Sequence, residues 1–124
     1  MSRSLAGKKI VFGVTGSIAA FKGAGWVSKL AQAGAEVSVV LTRSATQFVS
    51  PLTFSALSGK KACSDMFEDE KSSSISHIDL AAGADCVVIA PATAQTISRL
   101  AGGCADELLS AIVFLQNWWG SRCF

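Results

Sequence analysis

An uninterrupted apolar run, DCVVIAP at 85–91, constrains the fold of this chain more than any other feature. Its side chains do not alternate between apolar and polar, which is typical of a parallel strand in a sheet covered on both faces. Two β-branched runs precede it, KKIVFGV from Lys8 to Val14 and EVSVVLT from Glu36 to Thr42. The segment between those two runs has apolar residues at helical spacing, so the sequence predicts two parallel strands joined by a right-handed helical crossover.

Helices are predicted between and after these strands. Pro51 should divide SATQFVSPLTFSALSG into two short helical pieces, because the residue before a proline disfavours the helical region. The polar stretch EDEKSSSIS is predicted to be a mobile loop. The whole pattern indicates an α/β domain with a mainly parallel sheet. The other predicted helices are IAAFKGAGWVSKLAQAG, closed by Gly34, a brief one in HIDLAAGA, and two more in TAQTISRLAGG and ADELLSAIVFLQ.

The composition of the 124 residues fits one domain and excludes several classes of protein. The net charge of +2, with scattered Lys and Arg, does not support a nucleic-acid partner. No apolar run approaches the length of a membrane span and the N-terminus lacks a signal-peptide core, so no membrane partner and a cytoplasmic location are expected. Cys63, Cys86, Cys104 and Cys123 form no C-x-x-C pair, so no metal site is expected, and Cys86 is predicted to be a small core residue.

The candidate sites are the three strand ends, because open parallel sheets bind ligands beyond the carboxyl ends of their strands. After the first strand, GVTGSIAA carries Gly13 and Gly16, which should let the backbone turn sharply, and Ser17, which begins a helix. Backbone N–H groups, a hydroxyl and the positive end of a helix then converge, which favours an anion such as phosphate. A glycine turn with a serine cap explains the same residues without a ligand.

The second strand end, LTRSA, distinguishes between cofactors. An NAD enzyme needs an acidic side chain here for the ribose hydroxyls, and this segment has none. Thr42, Arg43 and Ser44 instead offer donors that suit a phosphate or a ribityl chain. Arg43 also suits the 2′-phosphate of NADP, so an NADP-binding Rossmann-type enzyme stays open, and Ser44 has the alternative role of capping a helix that begins at Ala45.

The third strand end, APATAQT, follows the apolar run at 85–91. Pro91 should end the strand, and Thr93, Gln95 and Thr96 place hydroxyl and amide groups around the start of the next helix. Such groups can hydrogen-bond the polar edge of a heteroaromatic ring. A capping box is the simpler explanation for this segment taken alone.

Four stretches together carry a family resemblance: GVTGSIAAFK, AGAEVSVVLTRSATQFVSPLTFSALSG, HIDLA and ADCVVIAPATAQTISRLAGGCADELL. In this order, from about Lys9 to Val113, the chain resembles the flavin domain of bacterial phosphopantothenoylcysteine decarboxylases, members of the homo-oligomeric flavin-containing cysteine decarboxylase family. The resemblance implies a flavodoxin-like, Rossmann-type fold with three layers and bound FMN. It also implies trimers, which can assemble further, with the flavin at a subunit interface.

The resemblance also assigns roles to individual residues. The chain's only histidine, His77 in HIDLA, matches the family's active-site histidine and is expected to take a proton from the substrate as the flavin accepts electrons. Without the surrounding motifs, a surface or helix-capping histidine would be the preferred interpretation. The matching flavin-contacting residues are Gly16, Ser17 and Ile18 in the first turn, Thr42 and Ser44 in the second, and Thr93, Ala94, Gln95 and Thr96 in the third.

The activity implied by the resemblance is FMN-dependent decarboxylation of a cysteine-containing substrate. The expected substrate is 4′-phosphopantothenoylcysteine, which would yield 4′-phosphopantetheine in coenzyme A biosynthesis. In this reaction the cysteine moiety is first oxidised to a thioaldehyde-like species, carbon dioxide then leaves, and the resulting enethiol is reduced again. HIDLA points away from the related flavin prenyltransferase branch.

Two departures from the family pattern limit that expectation. Gln95 stands where the family usually has Asn, which keeps the amide but moves it by one methylene. LQNWWGSRCF stands where the family continues into another strand and a P-A-M-N turn, so residues 1–124 are expected to be a single flavoprotein domain lacking that last segment. An inactive flavin-binding or regulatory subunit is therefore an alternative to the enzyme.

Overall fold

The computed structural model describes residues 5–60, 62–63, 82–104 and 109–113. Within this part, strands and helices alternate as the sequence predicts, and residues 109–113 are also helical. The remaining elements are β1 (Lys9–Val14), α1 (Ala20–Gln32), β2 (Glu36–Leu41), a 3₁₀ turn (Ala45–Gln47), α2 (Pro51–Ser58), β3 (Cys86–Ile89) and α3 (Ala94–Ala101).

The three described strands form one parallel sheet with β1 in the centre, in the order β2-β1-β3. Phe12 of β1 is level with Val39 of β2 and Val88 of β3. Cys63 adds an isolated parallel bridge at Val40, on the other side of β2. Because all these strands run the same way, their carboxyl ends meet at one edge, as the sequence predicts.

Alternate residues of β1 enter two separate apolar clusters, one on each face of the sheet. Phe12 packs beneath α1 and α2 together with Val27 and Phe54, all of them almost fully buried. On the opposite face, Val11 packs against Leu109 and other residues of the helical segment 109–113. The sheet therefore lies between two helical layers, which confirms the expected three-layer arrangement.

Gly13 makes the second layer possible. A Cβ added at Gly13 would lie 2.5 Å from one methyl carbon of Leu109 and 2.9 Å from the other. The Leu109 side chain, only 2% exposed, thus occupies the space that a larger residue in β1 would take. Burial of a leucine of this kind contributes about 1.5–3 kcal/mol to stability.

Helix α2 begins as the sequence predicts. Pro51 is its first residue, and the hydroxyl of Ser50 caps it by accepting the Leu52 N–H at 3.2 Å. Gly59 ends it in the left-handed conformation, with φ of 77°. The 3₁₀ turn before Pro51 is the other helical piece, so the predicted division at this proline is confirmed.

The prediction that β3 is fully buried was wrong for the strand as described. Its four residues are all half-buried, including Cys86, which was expected in the core. Among the described strands β3 pairs only with β1, and an apolar groove of about 400 Å³ lies between β3 and α1. The groove is lined by Phe12, Trp26, Lys29, Leu30, Val88 and Ala90.

Several predictions fall on residues outside the described ranges. These are the mobile loop in EDEKSSSIS, most of the brief helix in HIDLAAGA, and parts of the helix in ADELLSAIVFLQ. Cys63, Cys86 and Cys104 form no disulfide bond, while Cys123 is outside the described residues. No helix in the described ranges has both the length and the apolar character that a membrane span requires.

Candidate functional site

Backbone hydrogen bonds across the end of β1 keep the three strand ends level. The Thr42 N–H donates to the Val14 carbonyl at 3.0 Å, at the end of β2. The Ala90 N–H donates to the Gly13 carbonyl at 2.9 Å, at the end of β3. The three turns that follow, here named turn 1 (residues 15–19), turn 2 (42–45) and turn 3 (90–96), therefore lie side by side.

Turn 1 leads into the N-terminal end of α1, where the helix dipole is positive. The first turn of α1 has no acidic residue, and its N-cap residue Ala19 makes no side-chain capping bond. The Ser17 hydroxyl accepts the Ala19 N–H at 3.2 Å, while Ile18 points outward and is 79% exposed. A 13-residue helix that begins in this way can favour an anion at its N-terminus, and the predicted anion site stays a prediction.

Gly16 brings turn 1 into contact with turn 2. A Cβ added at Gly16 would overlap the Cβ of Ser44 and lie 2.9 Å from the Ser44 carbonyl carbon. Gly13 lies within β1, so the prediction that it lets the backbone turn sharply was wrong. Gly16 lies at a bend after the strand, as predicted, although its φ is not positive. Both positions require glycine because of the close approach of another segment, Leu109 at Gly13 and Ser44 at Gly16.

Turn 2 is capped by Thr42 and not by Ser44. The Thr42 side chain is 6% exposed, and its hydroxyl accepts the Ala45 N–H at 3.2 Å. Ser44 is exposed and makes no side-chain capping bond, so the alternative that Ser44 caps this helical turn was wrong. The Ser44 hydroxyl consequently lies at the surface beside Gly16, while the Thr42 hydroxyl stabilises the turn.

Turn 3 is a capped helix start, which confirms the capping interpretation for Thr93. The Thr93 hydroxyl accepts the Thr96 N–H at 3.2 Å and donates to the Thr96 hydroxyl at 3.1 Å. Thr96 is 7% exposed, whereas Ala94 and Gln95 are exposed. The cap therefore accounts for two of the predicted residues and leaves the Gln95 amide at the surface.

Thr15 belongs to this site, although the sequence reasoning did not single it out. It is fully buried, and its hydroxyl donates to the Pro91 carbonyl and accepts the Thr93 N–H at 3.0 Å. A hydroxyl residue between an apolar strand and a Gly-Ser turn is the sequence signal that would have indicated Thr15. A polar group in such a position needs a partner, because an unpaired buried hydroxyl is costly.

The predicted cofactor-binding residues are all described, and all lie on the three turns. The only charged residue among turns 1 to 3 is Arg43, which is exposed, so these three turns carry no acidic side chain. Within the described residues, no group of His, Cys, Asp and Glu could hold a metal ion. His77 lies outside the described ranges, as do Trp118, Trp119 and Cys123.

A comparison with protein-family models matches residues 1–122 to the model described as Flavoprotein. The chain belongs to this family. It is 43% identical over 115 residues to the coenzyme A biosynthesis bifunctional protein CoaBC of Vibrio vulnificus (strain YJ016), covering 93% of this chain and 29% of the relative. With CoaBC of Bacillus subtilis (strain 168) the identity is 48% over 103 residues, covering 83% of this chain and 25% of the relative.

Solved structures of flavoprotein decarboxylases share the fold. The FMN-dependent cysteine decarboxylase SpaF matches with a TM-score of 0.81 and 30% identity, covering 96% of this chain and 66% of SpaF. A PPC decarboxylase complexed with pantothenoylaminoethenethiol matches with a TM-score of 0.71 and 27% identity, covering 94% of this chain and 64% of the other. The predicted flavodoxin-like fold is confirmed, and the chain spans less than two thirds of the length of these relatives.

The two hydroxyls of turn 2 should differ in their effect on stability. Thr42→Val should lower the free energy of unfolding by about 0.5–2 kcal/mol, because it removes the buried cap of Ala45. Ser44→Ala is the matched control and should change it by less than about 0.5 kcal/mol, as expected for a surface position. Urea unfolding of the ligand-free protein measures both, and an equal loss in the two variants would contradict this assignment.

Proposed function

We propose that this chain binds FMN at the carboxyl edge of its sheet and acts as the flavin domain of a 4′-phosphopantothenoylcysteine decarboxylase. The observation that carries the proposal is the meeting of turns 1, 2 and 3 at one edge of the sheet, with no acidic side chain on any of the three turns. The product would be 4′-phosphopantetheine, a precursor of coenzyme A. The names of the relatives, coenzyme A biosynthesis proteins and cysteine decarboxylases, support this choice of substrate.

The residues of the three turns fit the chemical parts of FMN. Gly16 and Ser17 would hold the phosphate, since they lie at the N-terminal end of α1, whose first turn has no acidic residue. The exposed hydroxyl of Ser44 suits the ribityl chain, whose own groups are hydroxyls. The exposed amide of Gln95 can both donate and accept, which suits the polar edge of the ring.

The chain's own residues would bind and orient the substrate and move its protons. When bound, FMN supplies the electron-accepting chemistry that amino-acid side chains lack. His77 is proposed to accept a proton from the cysteine moiety of the substrate as that moiety is oxidised. An imidazole suits this role because it exchanges protons near neutral pH.

The second candidate function is flavin binding without turnover. It is favoured by residues 115–124, LQNWWGSRCF, which depart from the family pattern where a P-A-M-N turn is expected. The two functions differ in one measurement, the release of carbon dioxide from 4′-phosphopantothenoylcysteine by the FMN-loaded protein. An NADP-binding enzyme is the third alternative, and binding of NADP in place of FMN would favour it.

The proposed assembly is a homo-oligomer, a trimer or a multiple of trimers, working in the cytoplasm. Support comes from large apolar side chains at the described surface near turns 1 and 2. Ile18 is 79% exposed and Phe21 61%, while Phe48 is 52% and Leu52 76% exposed. Apolar residues at such density are typical of surfaces that contact another protein.

FMN binding is the direct test of the proposal. The purified chain should bind FMN non-covalently. Gly16→Ala should weaken binding at least about tenfold, because displacement of turn 1 would cost about one hydrogen bond to the ligand. The physical cause is the overlap of an added Cβ with Ser44, which pushes turns 1 and 2 apart. Gly25→Ala, where an added Cβ meets nothing within 4 Å, is the control and should bind like the parent.

Quenching of flavin fluorescence on titration gives these affinities. A parent chain that takes up no FMN would refute the proposed function. Equal binding by Gly16→Ala and the parent would leave the function intact and remove Gly16 from the site.

His77→Asn should leave FMN affinity nearly unchanged and slow reduction of the flavin by the substrate about 10²- to 10⁴-fold, the usual contribution of a general base. Single-turnover absorbance measurements with 4′-phosphopantothenoylcysteine follow this step. Ser76→Ala, a change at the adjacent residue, should reduce the flavin at the parental rate. Parental rates in His77→Asn would show that this histidine has no part in the reaction.

Light scattering tests the proposed assembly. The mass of the parent chain in solution should be a multiple of the trimer mass, because exposed apolar side chains gain by burial between subunits. A stable monomer at micromolar concentration would contradict the oligomer while leaving FMN binding to be judged by titration.

A further inference from the structure

We propose that the hydroxyl of Thr15 is a positioning group that fixes turn 1 relative to turn 3 and thereby sets the affinity for FMN. This inference rests on the proposed function and adds to it a residue that does not itself contact the ligand. It starts from the burial of Thr15, which has no exposed surface although it carries a polar group.

Both hydrogen-bond partners of the Thr15 hydroxyl lie in turn 3, far away in the sequence. The hydroxyl donates to the carbonyl of Pro91, 76 residues later, and accepts the N–H of Thr93, 78 residues later. Because Thr15 is inaccessible to water, solvent cannot replace either bond when the hydroxyl is removed. The two bonds therefore specify where turn 3 lies relative to the end of β1.

The Thr93 N–H is a sensitive point for this link, because Thr93 is the N-cap of α3. Its hydroxyl is already committed to Thr96, so its N–H is the group by which Thr15 orients the start of the helix. Gln95, two residues further on, is the residue proposed to meet the ring of the flavin. A shift of Thr93 would carry Gln95 with it.

The neighbouring residue connects the same point to turn 2. Gly16 packs against Ser44, so consecutive residues of turn 1 contact the turns on either side. A displacement of residue 15 would thus alter the spacing between the phosphate-binding end and the ring-binding end of the site. Through these contacts, the hydroxyl of Thr15 would fix the distance between the parts of the site that hold the two ends of the ligand.

A ligand that binds at two places gains affinity when the protein already holds those places at a fixed separation, because binding then loses less conformational entropy. FMN uses both ends of the proposed site, whereas riboflavin has no phosphate and uses only one. Loss of the Thr15 hydroxyl should therefore weaken FMN more than riboflavin. A general loss of folding would weaken both alike.

The experiment compares Thr15→Val, which keeps the shape but has no hydroxyl, with Thr15→Ser, which keeps the hydroxyl. Thr53→Val, at an exposed position of α2, is the control. Each variant of the 124-residue chain is titrated in its ligand-free form with FMN and with riboflavin, and flavin fluorescence is followed. Thr15→Val loses both hydrogen bonds to turn 3, so it should lower FMN affinity about tenfold or more and should lower the ratio of FMN to riboflavin affinity.

Thr15→Ser should restore that ratio to within about threefold of the parent, since the bonds to turn 3 can form again. An unchanged ratio in Thr15→Val, or an equal fall in both affinities, would overturn the inference and leave FMN binding itself untouched. If Thr15→Val does not fold, Thr15→Cys takes its place, because a thiol is a weaker donor and acceptor and should lower the ratio in the same direction.

Hydrogen exchange of the Thr93 amide in the ligand-free protein gives a second readout, independent of any flavin. Exchange should be at least about tenfold faster in Thr15→Val than in the parent, and parental in Thr15→Ser and Thr53→Val. If the parent binds no FMN, the proposed function fails, and this exchange rate alone decides whether Thr15 links the turns. Parental exchange in Thr15→Val would overturn the link.

Discussion

The pairing of β1 on both of its edges is the constraint on which the rest of this structure depends. β1 is hydrogen-bonded to β2 on one side and to β3 on the other, all in parallel. Since the side chains of β1 alternate between two apolar clusters, the same six residues also join the two helical layers. The residues that follow β1, Thr15 and Gly16, consequently reach both neighbouring turns. The central strand thus determines the arrangement of the candidate site.

Elements whose signals are local could be predicted from the sequence. The apolar strands are evident as runs of β-branched residues, and the start of α2 is marked by Ser50 and Pro51. The location of the candidate site followed from the order of strands and helices alone, because parallel strands end at a common edge. The absence of acidic residues from the start of α1 can be read from the sequence, and anion binding at turn 1 stays a prediction.

Features that depend on contacts between distant segments could not be predicted. Thr15 bonds to residues more than 70 positions away, so no local pattern identifies its partners. The capping of turn 2 by Thr42 depends on the orientation of the Thr42 and Ser44 hydroxyls, and the sequence indicated only Ser44 as a cap, as an alternative to ligand binding. The exposure of β3 depends on what lies on its other side, which an apolar run does not specify. The place of His77 relative to the turns stays a prediction.

Gly13 of β1 and Gly16 of turn 1 differ in the substitutions that homologous proteins can tolerate at each position. At Gly13 the obstructing atoms belong to the side chain of Leu109, so a homologue with alanine at this position should carry a smaller residue at the position of Leu109. At Gly16 the obstruction includes the backbone of Ser44, which no substitution at residue 44 removes. Across homologous sequences, position 13 should therefore vary in concert with position 109, while position 16 should tolerate no exchange.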